Sequence, residues 1–172
     1  LGYGIKEIEL PHAHYSLAAY YILMPAEAST NLARFDGMRF GSRKSGENLL
    51  EDYRLSRNLG FGAEVKRRIL LGAYVLSAGY RDAYYGKAEA VRSLVSRDFD
   101  NAFGKVDLIA TPTTPAPAFG LGEKKDPLSM YLADIFTTPA NISGIPAISA
   151  PFGESGGLPL GFQIMAPKLG EK

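Results

Sequence analysis

Between Ala63 and Phe103 the chain places apolar or small side chains at helical spacing, and no other stretch constrains the fold as much. Val65, Ile69, Gly72, Leu76 and Tyr80 recur in steps of three and four, the signature of a helix with one face buried. The pattern resumes through Ala83, Tyr84, Ala88, Val91, Val95 and Phe99 after Gly79, where a bend is tolerated. Two long helices in succession are therefore expected. Their buried faces need another layer, and the flanking sequence supplies candidate strands.

Val106-Asp107-Leu108-Ile109-Ala110, closed by Thr111-Pro112, suits an interior strand of a parallel or mixed sheet covered on both faces. Ala147–Pro151 and Leu160–Met165 are two more expected strands, joined by a turn through Gly153-Glu154-Ser155-Gly156-Gly157. Near the start, Glu7–Leu10 alternates apolar and charged residues and stops at Pro11, as a half-exposed strand would. Tyr15 to Met24 is expected to be helical, with Pro25 opening a second short helix through Phe35 that Gly37 stops. A further helix carries Leu49, Leu50 and Tyr53, capped by Ser45 or Asn48 and ended at Gly60-Phe61-Gly62. Asp126-Pro127 opens another, reaching about Phe136. Interleaved helices and strands define an α/β fold. About four strands is fewer than an ordinary sheet holds, so the chain reads as part of a larger domain.

Composition removes several functional classes. With 172 residues, 46% hydrophobic and 22% charged, the chain has a globular composition. A net charge of +1 gives no global field to attract nucleic acid or an anionic membrane. The absence of cysteine excludes disulfides, thiolate metal sites, Fe–S clusters and a cysteine nucleophile. The longest apolar run, Leu17–Met24, has 8 residues, whereas a bilayer span needs about 20. No basic segment precedes an apolar core at the start. A cytoplasmic protein without a membrane anchor is the expectation.

Candidate chemistry is sparse. His12 and His14 have only Glu27 as a nearby further ligand and no well-spaced third, so polar loop histidines are expected and no metal site. Ser155 lacks the flanking pattern of a nucleophile elbow and belongs to a hairpin turn. Gly120-Leu121-Gly122 is not followed by a phosphate-binding helix. Pro112, Pro115 and Pro117 mark a stiff loop. Two charged residues are harder to explain. Arg68 lies three residues after Val65 and four before Gly72, so it projects along the apolar stripe, unlike Lys66 and Arg67. Asp134 sits among Met130, Tyr131, Ile135 and Phe136. A cation and an anion set against apolar surroundings each need an acceptor or donor. On the residues alone they form an ion pair with each other, or a polar ligand bridges them.

Several long runs carry a resemblance. Ala28-Ser29-Thr30-Asn31-Leu32-Ala33-Arg34-Phe35-Asp36-Gly37-Met38-Arg39-Phe40-Gly41, Gly60-Phe61-Gly62-Ala63-Glu64-Val65-Lys66-Arg67-Arg68-Ile69-Leu70-Leu71-Gly72 and Leu76-Ser77-Ala78-Gly79-Tyr80-Arg81-Asp82-Ala83-Tyr84-Tyr85 are three of them. Asp126-Pro127-Leu128-Ser129-Met130-Tyr131-Leu132-Ala133-Asp134 and Asn141-Ile142-Ser143-Gly144-Ile145-Pro146-Ala147-Ile148-Ser149 continue the match. Together they resemble the A subunits of bacterial glutamyl-tRNA(Gln)/aspartyl-tRNA(Asn) amidotransferases, within the amidase-signature family.

The resemblance implies an amidase-signature α/β/α fold, a mixed twisted sheet covered by helices, of which residues 1–172 are the C-terminal portion. Such a domain is incomplete without its N-terminal half. In that family a Ser–cis-Ser–Lys triad hydrolyses glutamine. A B subunit that uses ATP and Mg receives the ammonia and amidates mischarged tRNA, and a small C subunit clasps the A subunit. The serine signature and the lysine are not in this sequence, so no catalytic residue and no cofactor is expected in it, and the chain alone is expected to be inactive. What the resemblance assigns here is glutamine binding: Arg68 to the α-carboxylate, Asp134 to the α-ammonium, Tyr20 lining the same pocket. Two other readings remain open. One is an amidase-signature hydrolase of small amides. The other is a non-catalytic module that binds tRNA or a partner through Arg39, Arg43, Lys44 and Arg57.

Overall fold

Local sequence preferences decide most of the helix ends. The computed structural model describes residues 2–171, and the chain divides into two units, Leu1–Tyr20 with Glu89–Lys172, and Tyr21–Ala88. Helix α1 (Ser16–Leu32) is continuous through Pro25, where two helices were expected. Proline lacks the N–H that would bond to the Tyr21 carbonyl, but apolar residues on both sides bury the helix: Leu23, Pro25 and Ala26 are almost fully enclosed. Packing outweighs the missing bond. Helix α2 (Leu49–Gly60) is capped by Asn48, whose side chain accepts the Glu51 N–H, so of the two expected caps Asn48 is the one used. Helix α3 (Ala63–Val75) gives way to a turn in which Gly79 adopts φ +83°, a conformation that favours glycine. A π-helical turn (Arg81–Gly86) then leads into α4 (Lys87–Phe103).

In the Tyr21–Ala88 unit, α3 meets α1 backbone to backbone. A Cβ added at Gly72 would stand 1.9 Å from the Pro25 carbonyl oxygen. The loop before α2 is tied down by Asp52, which is buried and accepts the Gly46 N–H at 2.6 Å and Arg43 Nη2 at 2.6 Å. These contacts hold the Asp52 carboxyl below its ordinary pKa, the Gly46 N–H contributing most and Arg43 next. Arg57 donates to the Leu32 and Phe35 carbonyls and so fastens α2 to the end of α1.

The other unit is built on a three-stranded antiparallel sheet. Strands β1 (Ile109–Pro112), β2 (Ala147–Ser155) and β3 (Leu158–Met165) lie in the order β1-β3-β2. The β2–β3 hairpin turns through Gly156 (φ 60°) and Gly157 (φ 76°), where two left-handed residues match the twist of the strands. Short helices α5 (Pro127–Tyr131), capped by the Asp126 side chain, and α6 (Thr138–Ser143) fall between β1 and β2. The core gathers Val95, Phe99 and Ala102 of α4, Ile109, Ala140, Ile145 and Met165.

The sheet departs from expectation in three respects. It is antiparallel throughout among the described residues, where the run at 106–110 read as a strand of a parallel or mixed sheet. The expected interior strand at 106–110 begins instead at Ile109 and lies at an edge among the described residues. Val106 packs against the core as a loop residue. Residues 7–10 form no strand, yet Ile8 and Leu10 also pack on that core. Their alternation reflects one-sided burial of an extended segment rather than strand pairing. Helix α6 was not expected at all, since its six residues are too short for a periodic signal.

Candidate functional site

The three residues singled out by sequence lie on elements whose conformation the chain fixes locally. Arg68 is on α3 in the Tyr21–Ala88 unit, while Tyr20 on α1 and Asp134 belong to the other unit. Arg68 does project along a partly apolar face, with 30% of its side chain exposed. The carboxylate of Glu64, one turn earlier, accepts Arg68 Nε at 2.7 Å and also pairs with Arg67. Met24 Sδ lies 3.6 Å from Arg68 Nη1, and the guanidinium sits 5.7 Å from the centre of the Tyr21 ring. The charge is therefore oriented by a carboxylate on its own helix and by a thioether and an aromatic face on α1. Sequence reasoning missed Glu64, although its i, i+4 spacing to Arg68 was legible.

Asp134 closes a 3₁₀ turn, Leu132–Asp134, that follows α5. It is half-buried, and its carbonyl accepts both the backbone N–H (3.1 Å) and the hydroxyl (3.2 Å) of Thr137. A bond to the segment just after this turn comes from the sheet. Gln163, in the central strand β3, is only 4% exposed and donates Nε2–H to the Phe136 carbonyl at 2.9 Å and to Thr111 Oγ1 at 3.0 Å. The signal for Gln163 in the sequence was an amide two residues from Met165 and so on the same buried face of a strand. Tyr20 is half-buried on the first turns of α1.

Other candidate residues have structural roles. His12 is held by the buried Asp98, which accepts the His12 backbone N–H at 2.7 Å and faces its Nδ1 at 3.0 Å. Asp98 borders an open pocket of about 920 Å³ whose other walls include Lys6, Glu7, Glu9, Asn101 and Lys105. Its mixed charges define no single ligand class. Among the described residues no three His, Asp or Glu side chains converge on a metal position. Ser155 is the last residue of β2, beside the two-residue turn, where a turn residue was expected. Of the basic set, Arg43 is paired with Asp52 and Arg57 with backbone carbonyls, while Arg39 and Lys44 are exposed. No described helix is long and apolar enough to cross a membrane.

Over residues 1–172 the sequence matches the family described as Amidase. The chain belongs to the amidase family. It is 60% identical over 173 residues to the A subunit of the glutamyl-tRNA(Gln) amidotransferase of Koribacter versatilis, covering 99% of this chain and 36% of that protein. The protein of the same name from Parvibaculum lavamentivorans is 56% identical over 173 residues, at 99% and 35% coverage. Among solved structures, the corresponding A subunit from Thermotoga maritima superposes with a TM-score of 0.65 and 43% identity, covering 94% of this chain and 30% of that one. The chain thus spans about a third of the length of the relatives it matches. The likeness extends to an amidase structure at 22% identity and a TM-score of 0.68, which shows the shared α/β fold alone.

Proposed function

We propose that this chain is the glutamine-binding portion of the A subunit of a tRNA-dependent amidotransferase, the C-terminal part of one amidase-signature domain. The observation that carries the reading is an identity of 56–60% over nearly the whole chain to relatives bearing that name. In this reading Arg68 holds the α-carboxylate of glutamine, Asp134 its α-ammonium, and Tyr20 lines the pocket. The physical chemistry suits the assignment. A free amino acid presents one anion and one cation, and a guanidinium meets a carboxylate with a planar fork of parallel N–H groups. Glu64 on Nε orients that fork in advance, which lowers the ordering cost of binding.

The nucleophile and its base come from the remainder of the protein, so this segment binds and orients rather than reacts. Ammonia released from the amide passes to a B subunit, which activates glutamyl- or aspartyl-tRNA with ATP and Mg, and a C subunit completes the cytoplasmic complex. The test is Arg68→Lys in the full-length protein, assayed for glutamine hydrolysis. Lysine keeps the charge but loses the fork, so the glutamine KM is expected to rise by about tenfold or more with little change on simple amides. An unchanged KM for glutamine, or equal losses on both substrates, overturns the assignment.

A further inference from the structure

Gln163 is a buried polar side chain whose bonds reach the turn carrying Asp134. We infer that Gln163 is a positioning residue for substrate recognition, setting where the Asp134 carboxylate stands. This rests on the reading of Asp134 given above.

Strand β3 is the middle of the three, paired to β1 on one side and to β2 on the other, so its backbone is the best-restrained in the sheet. Gln163 lies opposite both Thr111 and Ser149. It shares its face of the sheet with Met165, opposite Ile109, and both of these are in the core. An amide enclosed there costs free energy unless its hydrogens find acceptors. Both do, at 3.0 Å on Thr111 Oγ1 and 2.9 Å on the Phe136 carbonyl. A carbonyl only accepts, so the nitrogen is the end of the amide that faces Phe136.

Phe136 follows Asp134 by two residues. The turn is closed by Thr137, whose N–H and hydroxyl both reach the Asp134 carbonyl. The next residue, Thr138, opens α6 and is 1% exposed. The backbone at 134–137 is thus fixed from within by Thr137 and from the sheet by Gln163. A methionine at 163 would fill the same space and leave the Phe136 carbonyl without that donor. The turn would then relax, carrying Asp134 with it.

The experiment uses the full-length protein with Gln163→Met and, separately, Asp134→Asn. Each is assayed on glutamine and on glutaramate, which is glutamine without its α-amino group. If Gln163 acts through Asp134, Gln163→Met raises the glutamine KM by about tenfold, kcat stays within about twofold, and kcat/KM for glutaramate is unchanged. The preference for glutamine over glutaramate is a ratio within one sample, so a reduced folded fraction does not move it. Equal losses on both substrates indicate a general structural role and overturn the inference, as does an unchanged preference. If Asp134→Asn abolishes the preference while Gln163→Met leaves it intact, only this inference fails. If Asp134→Asn leaves the preference intact, the glutamine reading itself fails, and the inference with it.

Discussion

Replacing Gly72 by alanine adds one methyl group where α3 meets the backbone of α1. The new Cβ would stand 1.9 Å from the Pro25 oxygen, 2.5 Å from the Pro25 carbonyl carbon and 2.7 Å from Ser29 Oγ. Ser29 can rotate away, at the expense of its bond to the Ala26 carbonyl. The Pro25 peptide cannot. Ordinary contact begins at about 3.4 Å, so the helices must separate by roughly 1.5 Å. Overpacking of this kind costs about 1–3 kcal/mol and sometimes more, while alanine returns about 1 kcal/mol of helix propensity. With an overlap this large on a peptide that cannot move, the cost lies at about 3 kcal/mol, the upper end of that range, and we expect a net loss of about 2 kcal/mol, read as a lower urea midpoint of the full-length protein. Arg68 lies one turn before Gly72 and touches Met24 and Tyr21 on α1, so on the glutamine-binding role proposed above the glutamine KM should rise as well. Gly60→Ala is the control. Its Cβ would meet nothing within 4 Å, so stability should hold or improve. A Gly72→Ala protein that unfolds at the wild-type urea concentration would refute the close approach of α3 to α1.

The remaining expectations concern the α2 region. Asn48→Ala removes the cap on the Glu51 N–H and should cost about 1 kcal/mol by chemical denaturation, with no effect on glutamine KM; a loss too small to resolve would mean the cap is idle. Asp52 has a pKa lowered chiefly by the Gly46 N–H and then by Arg43, so the folded state binds this proton less readily than the unfolded state. Its stabilisation is therefore complete above the unfolded value near 3.8 and is lost as pH falls through the lower folded value. Asp52→Asn should lower stability at neutral pH and flatten the acid limb of the stability profile. An acid limb identical to wild type would show that this carboxylate is not linked to folding.

Much of the local architecture is legible in the amino-acid sequence. The three-and-four spacing through Ala63–Phe103 marks two helices, and Gly79 marks the break between them with a positive φ. Asn48 and Asp126 mark helix starts, and Gly156-Gly157 the hairpin. These succeed because capping, turn formation and helical periodicity are settled by side chains within a turn or two of one another. The failures have the opposite character. Pro25 reads as a helix start by its own chemistry, but enclosure by partners distant in sequence keeps α1 continuous. Residues 7–10 alternate as a strand does and find no strand to pair with.

Arg68 and Asp134 stand out in the sequence because a charge amid apolar neighbours is costly anywhere. Of what orients them, only Glu64, four residues before Arg68, is legible in the same way. Glu64 reaches Arg68 along its own helix, and Met24 and Tyr21 reach it from α1. Gln163 lies 27 residues from the carbonyl it holds and 52 from Thr111. The amino-acid sequence by itself determined the family, most helix starts and the unusual charges, all of which depend on residue identity and short-range spacing. Only the folded chain decided the antiparallel register of β1 with β3, the contact at Gly72 and the support beneath Asp134. Those depend on which distant segments meet, and that choice is made by burying the whole core at once.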